Sequence, residues 1–400
     1  MEKKSSLYLS HLQLTQFRNY TELQLAFSAG INCLVGPNGA GKTNVLDALY
    51  YLAFTKGFRN TQDRQALQKG APFFFNGGTL LEGKKKTLIH CNFVKGQGKK
   101  ILINKKPLKK MSDHIGKLPL VAILPWDTEL INGPSASRRR FLDMLISQYD
   151  PAFLSHLIHY ERLLAQRNAQ LKLFQEHRRF DVEELSLWDE QLTVPGMAIQ
   201  AGRQQFLEDF QPVFNRFFKE IVAEEDETPK LTYQTQLEDH SKEAWDRLWE
   251  ERREKDRVNL YTTGGIHRDD LVFHINEQSV RNFGSQGQQK TFVIALKLAQ
   301  YQLLHEQTGR WPLLLLDDIF DKLDETRLRQ IARLLDEEIR GQIFITDTSK
   351  ARLEHAFGAF GQRELRFFQV KDGQISSPEA LPEPGQPQKK DPKRKKPSGS

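Results

Sequence analysis

Apolar residues set two different periods along this chain. They alternate, in part, from Leu7 to Phe17, and a second short apolar stretch runs from Leu23 to Phe27. Ile31-Asn32-Cys33-Leu34-Val35 is a near-continuous apolar strand that feeds directly into a glycine-rich loop. A helix is expected from about Asn44, carried by Val45, Leu46, Ala48, Leu49, Leu52 and Ala53. Residues 73–104 read as antiparallel strands, among them Thr87–Val94 and Lys100–Asn104, with Gly96-Gln97-Gly98 as the turn between them. Leu118–Leu124 reads as a buried strand closed by Pro125.

The spacing changes to three and four from Ser137 to about Phe218, in Phe141, Leu142, Leu145 and then Phe153, Leu154, Leu157, Ile158. Pro151 and Pro195 are expected to break this helical region into pieces. Strand-like chain returns at Leu271–Ile275, and a long helix is expected from near Gln288 to about Glu306. Leu313–Leu316 and Ile343–Thr346 are continuous apolar runs of the kind buried on both faces in a parallel sheet. The pattern therefore predicts an α/β fold whose mixed sheet is built from N- and C-terminal parts, with a helical insertion domain between them. The expected division is 1–125 for the N-terminal part of the head, 126–256 for the insertion, 257–374 for the C-terminal part and 375–400 for a disordered basic tail.

Composition narrows the class. Hydrophobic content of 38% and charged content of 27% fit a soluble globular protein. No apolar stretch is long enough to span a bilayer, and Met1–Leu7 lacks the core of a secretion signal. Two cysteines, Cys33 and Cys91, cannot build a disulfide framework, so a cytoplasmic location is expected. The net charge is +7, and the segment 389–396 holds six basic groups and one acid, so most of the excess sits in the tail. Residues 84–110 contain ten lysines and no acid, the footprint of a phosphate-backbone binder or of a solvated lysine-rich hairpin.

Three motifs carry the chemistry. Gly36-Pro37-Asn38-Gly39-Ala40-Gly41-Lys42-Thr43 fills every fixed position of the phosphate-binding loop G-x-x-x-x-G-K-[ST], between a strand and a helix. Its backbone N–H groups are expected to cradle the β-phosphate of ATP, Lys42 to reach the β- and γ-phosphates, and Thr43 to ligate Mg²⁺. Asn44 follows as the next cofactor-binding position. Leu313-Leu314-Leu315-Leu316-Asp317-Asp318 ends a strand in two acids, some 270 residues downstream. Asp317 can reach the metal shell opposite Thr43, and Asp318 is placed to polarise the attacking water, making Lys42 and Asp318 the catalytic pair. Gly284-Ser285-Gln286-Gly287-Gln288 is a second small-residue loop opening a helix. One nucleotide has one γ-phosphate, already held by the first loop. Ser285, Gly287 and Gln288 are therefore expected to serve a nucleotide bound to another copy of the chain, in a head-to-tail dimer. A plain helix cap is the simpler use of that loop.

Glycine loop, helical insertion, serine-glycine-glutamine loop and paired acids, in this order, resemble the ATPase heads of the ABC and SMC group. Further stretches resemble the RecF recombination-mediator family: Phe17-Arg18-Asn19-Tyr20, the run from Gly133 to Asp143, Gly265-Ile266-His267-Arg268-Asp269-Asp270-Leu271, and Asp317-Asp318-Ile319-Phe320. The resemblance implies a DNA-binding ATPase of replication and recombinational repair, acting at junctions of single and double strand and on gapped duplex. It implies RecR and RecO as partners, loading of RecA as the outcome, and an ATP-dependent homodimer. It also places Arg18 and Asn19 near the phosphates and Asp321-Lys322-Leu323-Asp324 at the dimer interface. Two departures stand out: Ile266 where the family usually has proline, and Asp347 where ABC relatives often carry a histidine, which leaves the γ-phosphate sensor open among Thr346, Asp347 and Thr348. No Q-loop glutamine is evident, and the Pro125-Trp126-Asp127 turn is the place to look for one. The arginines Arg138, Arg139 and Arg140 stand at an expected helix start, where cations are disfavoured. They call for an anionic partner or a carboxylate within the fold. Alternative functions are a transporter-type ABC ATPase subunit, a small-molecule P-loop kinase, or a structural DNA-binding factor that ATP merely orders.

Overall fold

The computed structural model describes residues 7–58, 62–222, 227–320, 325–358 and 363–376. The Asp321–Asp324 stretch, the basic tail and the secretion-signal reading of the first six residues lie outside them. β1 (Leu7–Phe17) turns at Arg18 and Asn19 into β2 (Tyr20–Ala26), and β3 (Ile31–Val35) leads into the glycine loop and α1 (Lys42–Phe54). β4 (Phe73–Glu82), β5 (Lys85–Val94), β6 (Gly98–Ile103) and the two-residue β7 (Lys106–Pro107) are joined by tight turns. β8 (Leu120–Ile123) precedes α2 (Glu129–Asn132), α3 (Ser135–Ile146), α4 (Pro151–Glu176) and α5 (Val182–Val222). β9 (Pro229–Gln234), α6 (Lys242–Asn259), β10 (Asp270–Ile275), β11 (Gln278–Ser279) and α7 (Val280–Phe283) lead to α8 (Gln286–Thr308). β12 (Leu313–Asp317), α9 (Glu325–Glu337), β13 (Ile343–Asp347), α10 (Lys350–Gly358), β14 (Leu365–Lys371) and β15 (Gln374–Ser376) complete the order.

Two six-stranded sheets face each other across α1. The outer one is antiparallel, in the order β2-β1-β4-β5-β6-β7. The central one runs β15-β14-β3-β13-β12-β8 and is parallel apart from the β14–β15 hairpin. Side chains alternate across its strands. Leu34, Leu313, Leu315, Phe344 and Phe368 point to the layer that holds α1, with Leu49, Leu52, Leu9 and Phe74. Ile31, Cys33, Leu314, Leu316, Ile343 and Ile345 point to the opposite layer, with α5, α8 and α9. This sheet joins chain from both ends of the sequence: β3 lies between β13 and β14.

The helical region departs from the expected pieces. Pro151 starts α4 as its first residue, with the Asp150 carboxylate accepting from the N–H groups of Ala152 and Phe153 at 2.9 Å each. Pro195 does not end a helix; α5 runs through both Pro195 and Pro212 for 41 residues. An internal proline costs about 3 kcal/mol. The buried stripe of Leu192, Ile199, Phe206, Phe210, Phe214, Phe217 and Ile221 outweighs that cost, since each buried side chain contributes roughly 1.5–3 kcal/mol. The span is also not wholly helical. β9 pairs with β10 in a small three-stranded sheet, with Leu231 opposite Phe273.

A candidate ATP site built from two chain segments

The glycine loop is shaped by backbone demands. Gly39 and Gly41 take φ of 79° and 116°, in the left-handed half of the map that glycine adopts without strain. At Gly36 a Cβ would stand 2.0 Å from the Val370 carbonyl oxygen of β14, so no side chain fits there. Pro37 and Asn38 are exposed at the tip, whereas Ala40 is buried beneath it. Lys42 folds back over the loop, and its Nζ donates to the carbonyls of Gly36 at 2.8 Å and Pro37 at 3.0 Å. Its ammonium is buried in the loop's own concavity.

Thr43 Oγ1 donates to the Asp317 carboxylate, 3.0 Å from each oxygen, across 274 positions of sequence. The parallel pairing of β12 with β13 and of β13 with β3 makes this possible by bringing the two strand ends level. Asp317 is buried, and burial pushes its carboxyl above the usual range, opposed by hydrogen bonds from Thr346 and Thr43. Thr346 Oγ1 donates to Asp317 Oδ1 at 2.7 Å and accepts the Asp318 backbone N–H at 2.9 Å. Asp318 has φ of 44°, an uncommon left-handed conformation for a non-glycine residue. The Asp347 carboxylate is committed elsewhere: it accepts the Ser349 N–H at 2.7 Å and pairs with Arg352 at 3.7 Å. Asp317 and Asp318 line a cavity of about 560 Å³ that also reaches Pro125, Gln286 and Gly287. The turn after β8 holds no glutamine; Asp127 closes it by accepting the Leu124 N–H at 2.8 Å and pairing with Lys297 at 3.3 Å.

The Phe17–Tyr20 stretch meets the loop from the outer sheet. Asn19 accepts from Asn44 Nδ2 at 2.8 Å and donates to the Ala40 carbonyl at 3.5 Å. Tyr20, to which the sequence alone assigns no role, donates its hydroxyl to the Gly41 carbonyl at 3.0 Å. Arg18 turns to α1 instead, pairing with Asp47 at 2.7 Å and donating to the Gln65 carbonyl at 2.8 Å. The second loop is a helix cap. Ser285 Oγ accepts the Gln288 N–H at 3.2 Å, and the Gln288 side chain accepts the Ser285 N–H at 2.9 Å. Ser285 is exposed, and a Cβ at Gly287 would stand 2.8 Å from the Arg327 guanidinium, which would have to move aside.

Arg138, Arg139 and the 265–270 turn pack against one another, whereas Arg140 is exposed. Arg138 makes a two-pronged pair with Asp270 at 2.7 and 2.8 Å and covers the carbonyls of Leu130 and Gly133 at 3.2 and 3.0 Å. Arg139 donates to the Asp269 carbonyl at 2.6 Å. His267 lies between the Tyr160 hydroxyl at 3.0 Å and the Thr262 carbonyl at 3.1 Å, and burial pushes its imidazole down to about 4. Ile266 is buried, and its carbonyl accepts from Arg203 at 2.8 Å.

The donor set fits a triphosphate with magnesium: a glycine loop, an ammonium beside it, and one hydroxyl opposite one carboxylate, which leaves further positions of an octahedral ion to phosphate and water. Among the described residues no group of three histidine, cysteine or acidic side chains forms a metal cage. This fold and site define an ATPase head of the ABC and SMC type. The RecF/RecN/SMC N-terminal domain matches residues 8–375. The chain is 44% identical over 348 residues to the DNA replication and repair protein RecF of Flavobacterium johnsoniae, covering 87% of this chain and 96% of that one. It is 40% identical over 379 residues to the RecF protein of Phocaeicola vulgatus, covering 94% of this chain and 100% of that one. It belongs to the RecF family of DNA replication and repair proteins. A solved structure of the recombination mediator protein RecF with ATP, described within the RecFOR pathway, superposes with a TM-score of 0.85 at 28% identity, over 94% of this chain and 99% of that one. An Smc head domain derived from Pyrococcus furiosus shares the fold, with a TM-score of 0.55 at 16% identity over 93% of this chain and 96% of that one.

Proposed function

We propose that this chain is an ATPase switch that binds gapped or junction DNA as an ATP-dependent homodimer. Residues Gly36 to Asn44 hold the phosphates, with Asn19 bracing the loop and Arg18 bracing α1 behind it. Thr43 and Asp317 hold Mg²⁺, which when bound neutralises phosphate charge. Asp318 accepts a proton from the attacking water. Ser285, Gly287 and Gln288 close over the nucleotide of the twin subunit, so neither site is complete until two chains meet. The working division remains a head formed by 1–125 and 257–374, an insertion formed by 126–256 and a basic tail from 375. The kinship with RecF proteins supports a cytoplasmic role alongside RecR and RecO in loading RecA. The observation that carries the reading is the 3.0 Å bond between Thr43 and Asp317, which sets a phosphate-loop hydroxyl on a strand-end carboxylate from the far half of the chain.

ATP turnover measured with single-stranded, duplex and gapped DNA tests it. Slow hydrolysis raised by gapped duplex, absent in Lys42→Met and in Asp318→Asn, is expected. Equal turnover in Asp318→Asn and the parent would contradict the assignment, and negligible hydrolysis with every DNA would favour a factor that ATP only orders.

A further inference from the structure

The lysine block belongs to the outer sheet, and strand register shows what stands beside it. Residues paired across a ladder lie on the same face. Phe75, Asn92 and Lys100 form one row across β4, β5 and β6; Gly77, His90 and Leu102 form the next. Leu81 pairs with Lys86 farther along, and Phe73 pairs with Val94 at the other end. The alternate row of Phe74, Phe93 and Lys99 points inward to α1, where Lys99 is held by Asp63 at 3.0 Å. Lys99 therefore drops out of the exposed charge.

The outward face is aromatic as well as basic. Phe73 is 39% exposed. Phe75 is half-buried, its ring lying 5.3 Å from that of His90 at 63°. Gly77 admits that ring, since a Cβ there would come within 2.6 Å of it. Lys86 and Lys100 are exposed on this face, and Lys105 follows at the end of β6. No acidic side chain stands on the outward positions of β4, β5 and β6. Burial and the Lys105 charge lower the affinity of His90 for a proton, which leaves a neutral ring beside Phe75. Phe73 and Phe75 are two residues apart on one strand, a separation of about 7 Å.

We propose that this sheet face binds single-stranded nucleic acid, its bases stacking on Phe73 and Phe75 and its phosphates lying on Lys86, Lys100 and Lys105. The inference rests on the reading of the lysine block as a DNA contact and adds the form of DNA. Lysines alone hold any phosphate backbone, duplex included. Open aromatic rings reward only bases that are free to unstack, and every base offers a ring face. A surface that combines the two therefore prefers single strands without reading their sequence. At a junction it would hold the unpaired arm.

The test uses the full chain with labelled oligo-dT and a duplex of equal length, titrated over a range of salt. Phe73→Leu/Phe75→Leu keeps the apolar packing over Gly77 and removes the rings. It is expected to weaken oligo-dT binding about tenfold, with duplex affinity and salt slope unchanged. Lys86→Gln/Lys100→Gln/Lys105→Gln is expected to weaken both DNAs and to lower the salt slope by roughly three. A base analogue that loses fluorescence on stacking should be quenched by the parent and not by the leucine variant. Oligo-dT binding equal to the parent's in the leucine variant, or an equal loss on both DNAs at unchanged melting temperature, would overturn the stacking proposal. Unchanged binding of both DNAs by the lysine variant would instead remove the DNA contact on which it rests.

Discussion

Thr346 does more than its position at a strand end suggests. Its buried hydroxyl joins the carboxylate of Asp317, the proposed metal ligand, to the backbone of Asp318. Removing it takes one of the two hydroxyl donors from Asp317, leaving Thr43, and takes the acceptor from the Asp318 N–H. Thr346→Val should weaken apparent Mg²⁺ affinity about tenfold, as loss of an outer-shell partner does, while Thr346→Ser keeps it. Turnover measured against Mg²⁺ concentration at saturating ATP checks this. His267 supplies a pH prediction. Its folded pKa of about 4 lies below the ordinary 6.5, so between those values the unfolded chain takes a proton that the folded chain refuses. Stability should therefore fall with pH across that window, by at most about 1.4 kcal/mol per unit. Urea melts at pH 7 and pH 5 should show a smaller drop for His267→Gln than for the parent; equal drops would contradict it. Lys42, Thr43 and Asp317 were legible because each sits in a tight pattern of neighbours. Tyr20 and Thr346 were not, since a hydroxyl next to a turn or strand end is common and its partner is set by packing. For Arg138 the sequence showed an unfavourable cation at a helix start; only the fold showed Asp270 answering it.

The helical region is held by a buried network as well as by its apolar stripe. Arg167 of α4 has no exposed surface and pairs with Asp189 of α5 and Asp256 of α6 at 2.7 Å each. Asp256 also accepts the N–H of Thr263 at 2.7 Å, which ties in the loop before β10. Arg167→Met would strand two buried carboxylates, at a cost of about 3–5 kcal/mol. Chemical unfolding should show that loss, and a change near the surface-pair range of about 0–1 kcal/mol would mean the network is not shielded as its burial implies. Strong periodicity made some elements readable: β1 and β3 have the bounds that their apolar runs predict. β9 escaped because Leu231 and Tyr233 give too short an alternation. Pro195 misled because a local rule about a missing N–H ignores the long apolar face on which α5 lies.

At the scale of the whole molecule, the chain builds its candidate nucleotide site from both halves of its sequence but leaves Ser285 exposed. The proposed dimer gives that residue a purpose, one that the small-residue loop suggested in the sequence and that a single chain by itself does not display. A Ser285→Arg variant should still bind ATP yet fail to pair, because a bulky cation at the tip of the capped loop blocks the approach of another chain. The direct measurement is the solution mass of Asp318→Asn with and without ATP and Mg²⁺, beside Ser285→Arg. The account predicts that Asp318→Asn shifts from 46.3 kDa to twice that mass when ATP is added, and that Ser285→Arg stays at the smaller value. An Asp318→Asn protein that binds ATP and remains a monomer would contradict it.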